Sequence, residues 1–190
     1  IAKKGKPIVL STGLSELYEI DKAVQMIEST GNKKLIILHC IATYPTPDVN
    51  VNLNNIDTLK QIYSYPIGFS DHSIGFSMPL AATTKGACII EKHFTLDKDM
   101  FGWDHKVSAN PEELKIIVEE SKRISKALGT TRIVCPENEE RKREFRRSIV
   151  MKKTLLAGNI IKEDDLDFKR PGIGISPGEL NYVVGRSLKT

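Results

Sequence analysis

Hydrophobic residues in the first two thirds of the chain alternate between two patterns. Short, continuous apolar runs occupy PIVLST (7–12), KLIILHC (34–40), PIGFSD (66–71) and ACIIEKHF (87–94). Continuity rather than strict alternation predicts parallel strands covered on both faces. Helical spacing separates the runs. Leu17, Ile20, Val24 and Ile27 follow the 3.6-residue period, with Ser15 as a candidate N-cap and Gly31 as the stop. Leu53, Ile56, Leu59 and Ile62 repeat the pattern, and a shorter helix is expected around 78–86. Asn110, Pro111, Glu112 and Glu113, then Leu114, Ile117, Val118, Ile124 and Leu128 before Gly129, form a complete helix start and stop.

Four β–α units in a row imply a parallel sheet with right-handed crossovers, either doubly wound or part of a barrel. Polar residues gather at the strand ends: Ser11 and Thr12, His39, Ser70 to Ser73, and Glu91 to His93. In an eightfold barrel that end of the sheet carries the chemistry, although four units make only half a barrel. After Gly129 the texture changes. Residues 130–147 are polar and charged, and ERKREFRR (140–147) mixes signs as a solvated helix or linker does. Residues 148–190 contain short β-like pieces and many glycines, which predicts a second, small β-rich module. The expected division is 1–129, a linker over 130–147, and 148–190.

A chain of 190 residues with 40% hydrophobic content can bury a sizeable core. The net charge of +4 is too small to argue for nucleic acid. No apolar run reaches the roughly 20 residues of a membrane span, and the first apolar stretch is too short for a signal peptide, so a cytoplasmic location without a membrane partner is expected. Cys40 and Cys88 lie in strand-like apolar runs and Cys135 is distant, which favours buried reduced thiols over a disulfide framework or zinc site.

Two of the four histidines are placed alike, in GFSDHS (68–73) and IIEKHF (89–94), each just past a strand. His72 and His93 can therefore bring two imidazoles to one divalent ion with positions left open for substrate, or they can simply close their strands. Other polar positions have ordinary readings: Ser11 and Ser70 as turn formers, Asp104 as a turn residue in GWDH, Tyr44 as loop packing before a proline, and Arg170 as a surface charge. Lys92 is the one lysine within a strand run that is placed for Schiff-base chemistry, and its direction is open at this stage.

KPIVLSTG, HCIATYPTP, GFSDHS, IIEKHFT, GWDHKVS and FKRPGIGIS, in this order and at these intervals, resemble the sialic acid synthase family. That family condenses phosphoenolpyruvate with an N-acylated mannosamine-type sugar. The resemblance covers essentially the whole chain. It implies an α/β fold: the second half of a TIM (β/α)₈ barrel followed by a small antifreeze-like (SAF) domain. It also implies that the first four β–α units, with the lysines that help hold the phosphate, and the last segment of the tail have no counterpart here. Carried over residue by residue, it implies that His72 and His93 bind manganese or magnesium. Glu91 would exchange a proton, Ser11 and Ser70 would contact phosphoenolpyruvate, and Tyr44 and Asp104 would line the sugar site. Arg170 would reach the sugar's N-acyl group from a neighbouring subunit, in a domain-exchanged homodimer that the twenty or so residues between the modules could span at roughly 3.3 Å each. Two alternatives stand beside this: a truncated module that binds a partner without catalysis, and another metal-dependent barrel enzyme, a phosphoesterase or an aldolase. Half a barrel alone is expected to be inactive.

Overall fold

The computed structural model describes residues 1–189. It forms two compact units, Ile1–Thr130 and Thr131–Thr190. The first holds four strands, β1 (Ile8–Ser11), β2 (Leu35–Cys40), β3 (Ile67–Asp71) and β4 (Ile90–Lys92), hydrogen-bonded in that order as one parallel sheet. The connections carry α1 (Leu17–Glu28), a short α2 (Asp48–Val51) with α3 (Asn54–Ile62), and α4 (Ser77–Thr84). The longest helix, α5 (Pro111–Leu128), follows β4. Sequential order, parallel pairing and a helix after every strand make this sheet half of a barrel.

Register decides what each side chain faces. Ile8 pairs with Leu35, Ile37 with Ile67, and Phe69 with Ile90. These residues pack with Ile20, Val24, Ile56, Leu59 and Ala82 in the buried core, so this set looks outward to the helices. By the two-residue period of a strand, the opposite, inner face carries Val9 and Ser11, Ile36, Leu38 and Cys40, then Gly68 and Ser70, and finally Glu91. At Gly68 the lack of a side chain matters. A β-carbon there would collide with the Leu38 side chain and sit 2.8 Å from the Ile89 carbonyl oxygen.

Local signals govern the helix ends. Asn110 caps α5 as expected, its side chain accepting from the Glu113 N–H at 2.8 Å while Glu113 accepts from the Asn110 N–H. Gly129, at φ 55°, follows its last turn. Helix α1 starts one residue later than the sequence suggests: Glu16, paired reciprocally with Glu19, is the N-cap, and Ser15 turns back to the Gly13 carbonyl. Ile62, expected on the apolar stripe of α3, is exposed because it is the helix's last residue. The thiols also differ from expectation. Cys40 is buried, but Cys88 is exposed, because it precedes β4 and lines an open cleft of about 560 Å³ between β4 and the α4–α5 pair.

In the second unit, α6 (Glu139–Phe145), capped by Asn138, lies within the charged stretch, so of the two readings of ERKREFRR the helix is realised. Strands β5 (Ser148–Met151) and β6 (Leu166–Lys169) pair antiparallel, and a short α7 (Leu180–Val183) follows. The Arg170–Pro171 peptide is cis. Beyond it Gly172 donates to the Arg143 carbonyl at 2.6 Å, and a β-carbon on Gly172 would lie 2.7 Å from that of Arg146. Ser148 ties the same loop to β5, donating to the Pro171 carbonyl and accepting from the Gly174 N–H.

Candidate active site

Alternation carries the inner face past the ends of β3 and β4, from Ser70 to His72 and from Glu91 to His93. Because Asp71 is in register with Lys92, the two histidines stand side by side, with ring centroids 5.3 Å apart. Ser70 donates to the Glu91 carboxylate at 2.7 Å in the layer below. These four residues, together with Lys92 between Glu91 and His93, line a small open cavity of about 210 Å³.

The loop after β2 frames His72. Its Nδ1 lies 3.0 Å from the Ile41 carbonyl, and the Thr46 N–H donates to the carbonyl of His72 at 2.9 Å. Thr46 secures the loop through its hydroxyl, which donates to Thr43 O. A carbonyl only accepts, so Nδ1 of His72 carries the proton and Nε2 keeps its lone pair. Burial pushes the His72 pKa down, outweighing the upward pull of the Ile41 hydrogen bond, and thus favours the neutral imidazole. A neutral ring anchored through one nitrogen and open at the other is the form in which histidine binds metals.

Tyr44, in the same loop, packs its ring against His72 at 4.2 Å and stands edge-on to His93 at 5.6 Å. Its phenol pKa is pushed up, by desolvation first, then by Cys40 and by the Asp104 and Glu91 carboxylates. Asp104 reaches His93 from the loop before α5, with Oδ2 4.0 Å from Nδ1. Among the described residues no group of three or more His, Cys, Asp or Glu is arranged to hold a metal.

The family models decide the relationship. The NeuB family matches residues 1–132, and the SAF domain matches residues 146–190. This chain belongs to the NeuB family. An uncharacterized protein of Methanocaldococcus jannaschii is 46% identical over 190 residues, all of this chain and 56% of its own length. An N,N'-diacetyllegionaminic acid synthase of Campylobacter jejuni is 41% identical over 189 residues, 98% of this chain and 57% of that protein. The crystal structure of an N-acetylneuraminic acid (sialic acid) synthetase from Leptospira borgpetersenii superposes with a TM-score of 0.68 at 41% identity, covering 74% of this chain and 49% of that one. The chain therefore spans about half the length of the curated relatives it matches.

Of the residues singled out by resemblance to this family, the structure brings together Ser70, His72, Glu91 and His93, with Tyr44 and Asp104 at the rim. Ser11 lies on the same inner face but at the end of β1, two strands away from Ser70. Arg170 belongs to the second unit, where its guanidinium and that of Arg141 both lie over the Phe145 ring, at 5.5 and 4.9 Å. Lys92 borders the cavity, but strand alternation turns its side chain to the helix side, with Ile90. Its ammonium group is buried against Asp71 at 2.6 Å and the Ser73 carbonyl at 2.7 Å, which removes it as a Schiff-base candidate. The Ile41 and Thr46 contacts to His72 and the Asp71–Lys92 pair were not evident in the sequence. Only the cross-strand register could have pointed to the pair.

Proposed function

We propose that the intact protein carrying this chain condenses phosphoenolpyruvate with an N-acylated amino sugar of the mannosamine type, giving a nonulosonic acid and phosphate. The observation that carries this reading is the convergence of His72 and His93 above the Ser70–Glu91 pair, on the inner face of a NeuB half-barrel. In the reaction C3 of phosphoenolpyruvate bonds to the sugar's aldehyde carbon, water adds at C2, and phosphate leaves by C–O cleavage. The aldehyde oxygen becomes a hydroxyl and must gain a proton. Glu91 is the carboxyl group nearest to hand in the cavity, and its bond from Ser70 fixes where that proton is held.

His72 and His93 would hold a divalent ion, for which an imidazole pair beside the Glu91 and Asp104 carboxylates favours manganese over magnesium. When bound, such an ion supplies a Lewis acid that offsets charge growing on the sugar's carbonyl oxygen. Asp104 would accept from sugar hydroxyls, Tyr44 would wall the sugar site, and Ser11 would donate to phosphoenolpyruvate from β1. Arg170, supplied by the partner in a domain-exchanged homodimer, would donate to the N-acyl carbonyl. A cytoplasmic location belongs to the same proposal; no described helix is long and apolar enough to cross a membrane.

Phosphate release by the full-length protein tests the reading. It should require phosphoenolpyruvate and the N-acyl sugar together and should disappear in His72→Ala and His93→Ala. Release without sugar would favour a phosphoesterase, and no release at all would favour a binding module. In the same assay, loss of one charged hydrogen bond, about 1.5–3 kcal/mol, corresponds to a ten- to hundredfold rise in KM for the sugar in Arg170→Ala. The KM for phosphoenolpyruvate should stay unchanged, and a shift of both constants together would remove Arg170 from the site.

A further inference from the structure

We infer that the buried Asp71–Lys92 pair is a positioning device that fixes His72 and His93 side by side, an inference that rests on the site reading above. Each partner directly precedes one of the histidines, and the two are directly opposed in the β3–β4 register. Their side chains are 1% and 3% exposed, and strand alternation places both on the helix-facing side, opposite to Ser70 and Glu91. Few charges are buried this deeply without pairing, and three hydrogen bonds engage this pair. Lys92 donates to Asp71 Oδ2 at 2.6 Å and to the Ser73 carbonyl at 2.7 Å, while Asp71 Oδ1 accepts from the Ser73 N–H at 3.0 Å.

The geometry of these bonds explains the choice of residues. Asp71 to Ser73 is an Asx-type turn that encloses His72, so the carboxylate shapes the backbone on both sides of that histidine. Lys92 closes the turn from the neighbouring strand, one residue before His93. Slipping β4 by a single residue would break the two hydrogen bonds that Lys92 donates and turn His93 to the opposite face. A hydrophobic pair of similar volume would fill the same space against the helices, but it would lack the directional bonds to Ser73 that define where His72 begins.

The test is made on the full-length protein with Lys92→Met and with the double variant Asp71→Asn/Lys92→Met. The single variant strands a buried carboxylate and should lose stability. The double variant removes both charges and should recover thermal stability relative to the single one. Two readouts then isolate positioning from stability. The first is proximity of the two rings in the metal-free protein, seen as a nuclear Overhauser contact between the His72 and His93 ring protons. The second is manganese affinity by calorimetry. The inference expects the double variant to be folded, to lose the ring–ring contact, and to bind manganese ten- to a hundredfold more weakly than wild type, the range for groups that orient metal ligands. A folded double variant that retains the contact and the affinity overturns it. If the double variant does not fold, the ring contact is read in Lys92→Met at reduced temperature, where its retention overturns the inference equally. If wild type binds no manganese, the proposed function fails, and loss of the ring contact alone still decides the role of the pair.

Discussion

A histidine in this half-barrel is defined by which side of its strand it occupies. His39 lies near the end of β2 and His72 directly follows β3, yet His39 looks to the helices and His72 to the inner face. His39 stacks on Phe69 at a centroid distance of 5.8 Å and donates through Nε2 to the Val51 carbonyl at 2.7 Å. Burial pushes its pKa down, against the upward effect of the Val51 bond, as burial also does for His72. A histidine kept neutral in the folded state leaves the unfolded chain binding the extra proton, so the stability it confers is present above the ordinary value of about 6.5 and is lost as pH falls through that value toward the depressed folded one. The thermal midpoint should therefore drop between pH 7.5 and 5.5. His39→Gln should flatten that slope in part, with His72 supplying the remainder; an unchanged slope would show that His39 does not contribute. The sequence exposed both histidines as residues at strand ends, but it could not tell a core histidine from a cavity histidine. Parity along the strand separates them only once the register and the helix-facing set are known.

At the scale of the element, signals confined to one turn were legible, and signals spread between strands were not. Asn110, Pro111 and Glu113 specify the start of α5 within four residues, and all three act as their positions indicate. Asn110→Ala should cost about 1 kcal/mol of stability, as loss of an N-cap does, measured by denaturant unfolding with an unchanged m-value. A shift below a few tenths of a kcal/mol would mean that the Lys98–Glu113 ion pair at 2.6 Å, rather than the cap, secures that end. Ser15 was the wrong cap because a Glu16–Glu19 box sits one residue further on, and a hydroxyl and a carboxylate compete on nearly equal terms there. Lys92 was ambiguous for a different reason. Its partner is 21 residues away on another strand, and pairing across β3 and β4 is set by the whole sheet.

For the whole molecule, the motifs in order carried the family, and the fold follows from it: a parallel half-barrel unit and a small unit matching the SAF domain. What the apolar pattern could not supply was which of its positions are exposed in the half-barrel. Leu114 and Val118 of α5, on the apolar stripe of a well-formed helix, are 37% and 44% exposed beside the open cleft, and Val9 on the inner face is 49% exposed. The α6 helix also shortens the irregular stretch expected between the two modules. Residues 130–137 have neither helix nor strand and span roughly 26 Å at full extension. The central claim is nevertheless local, that the two imidazoles above Ser70 and Glu91 form one centre. Calorimetric titration of the full-length protein with manganese tests it most directly, with circular dichroism to confirm that each variant is folded. The account predicts one ion per protomer in wild type and at least a hundredfold weaker binding in both His72→Ala and His93→Ala. Wild-type binding in either folded variant would contradict it.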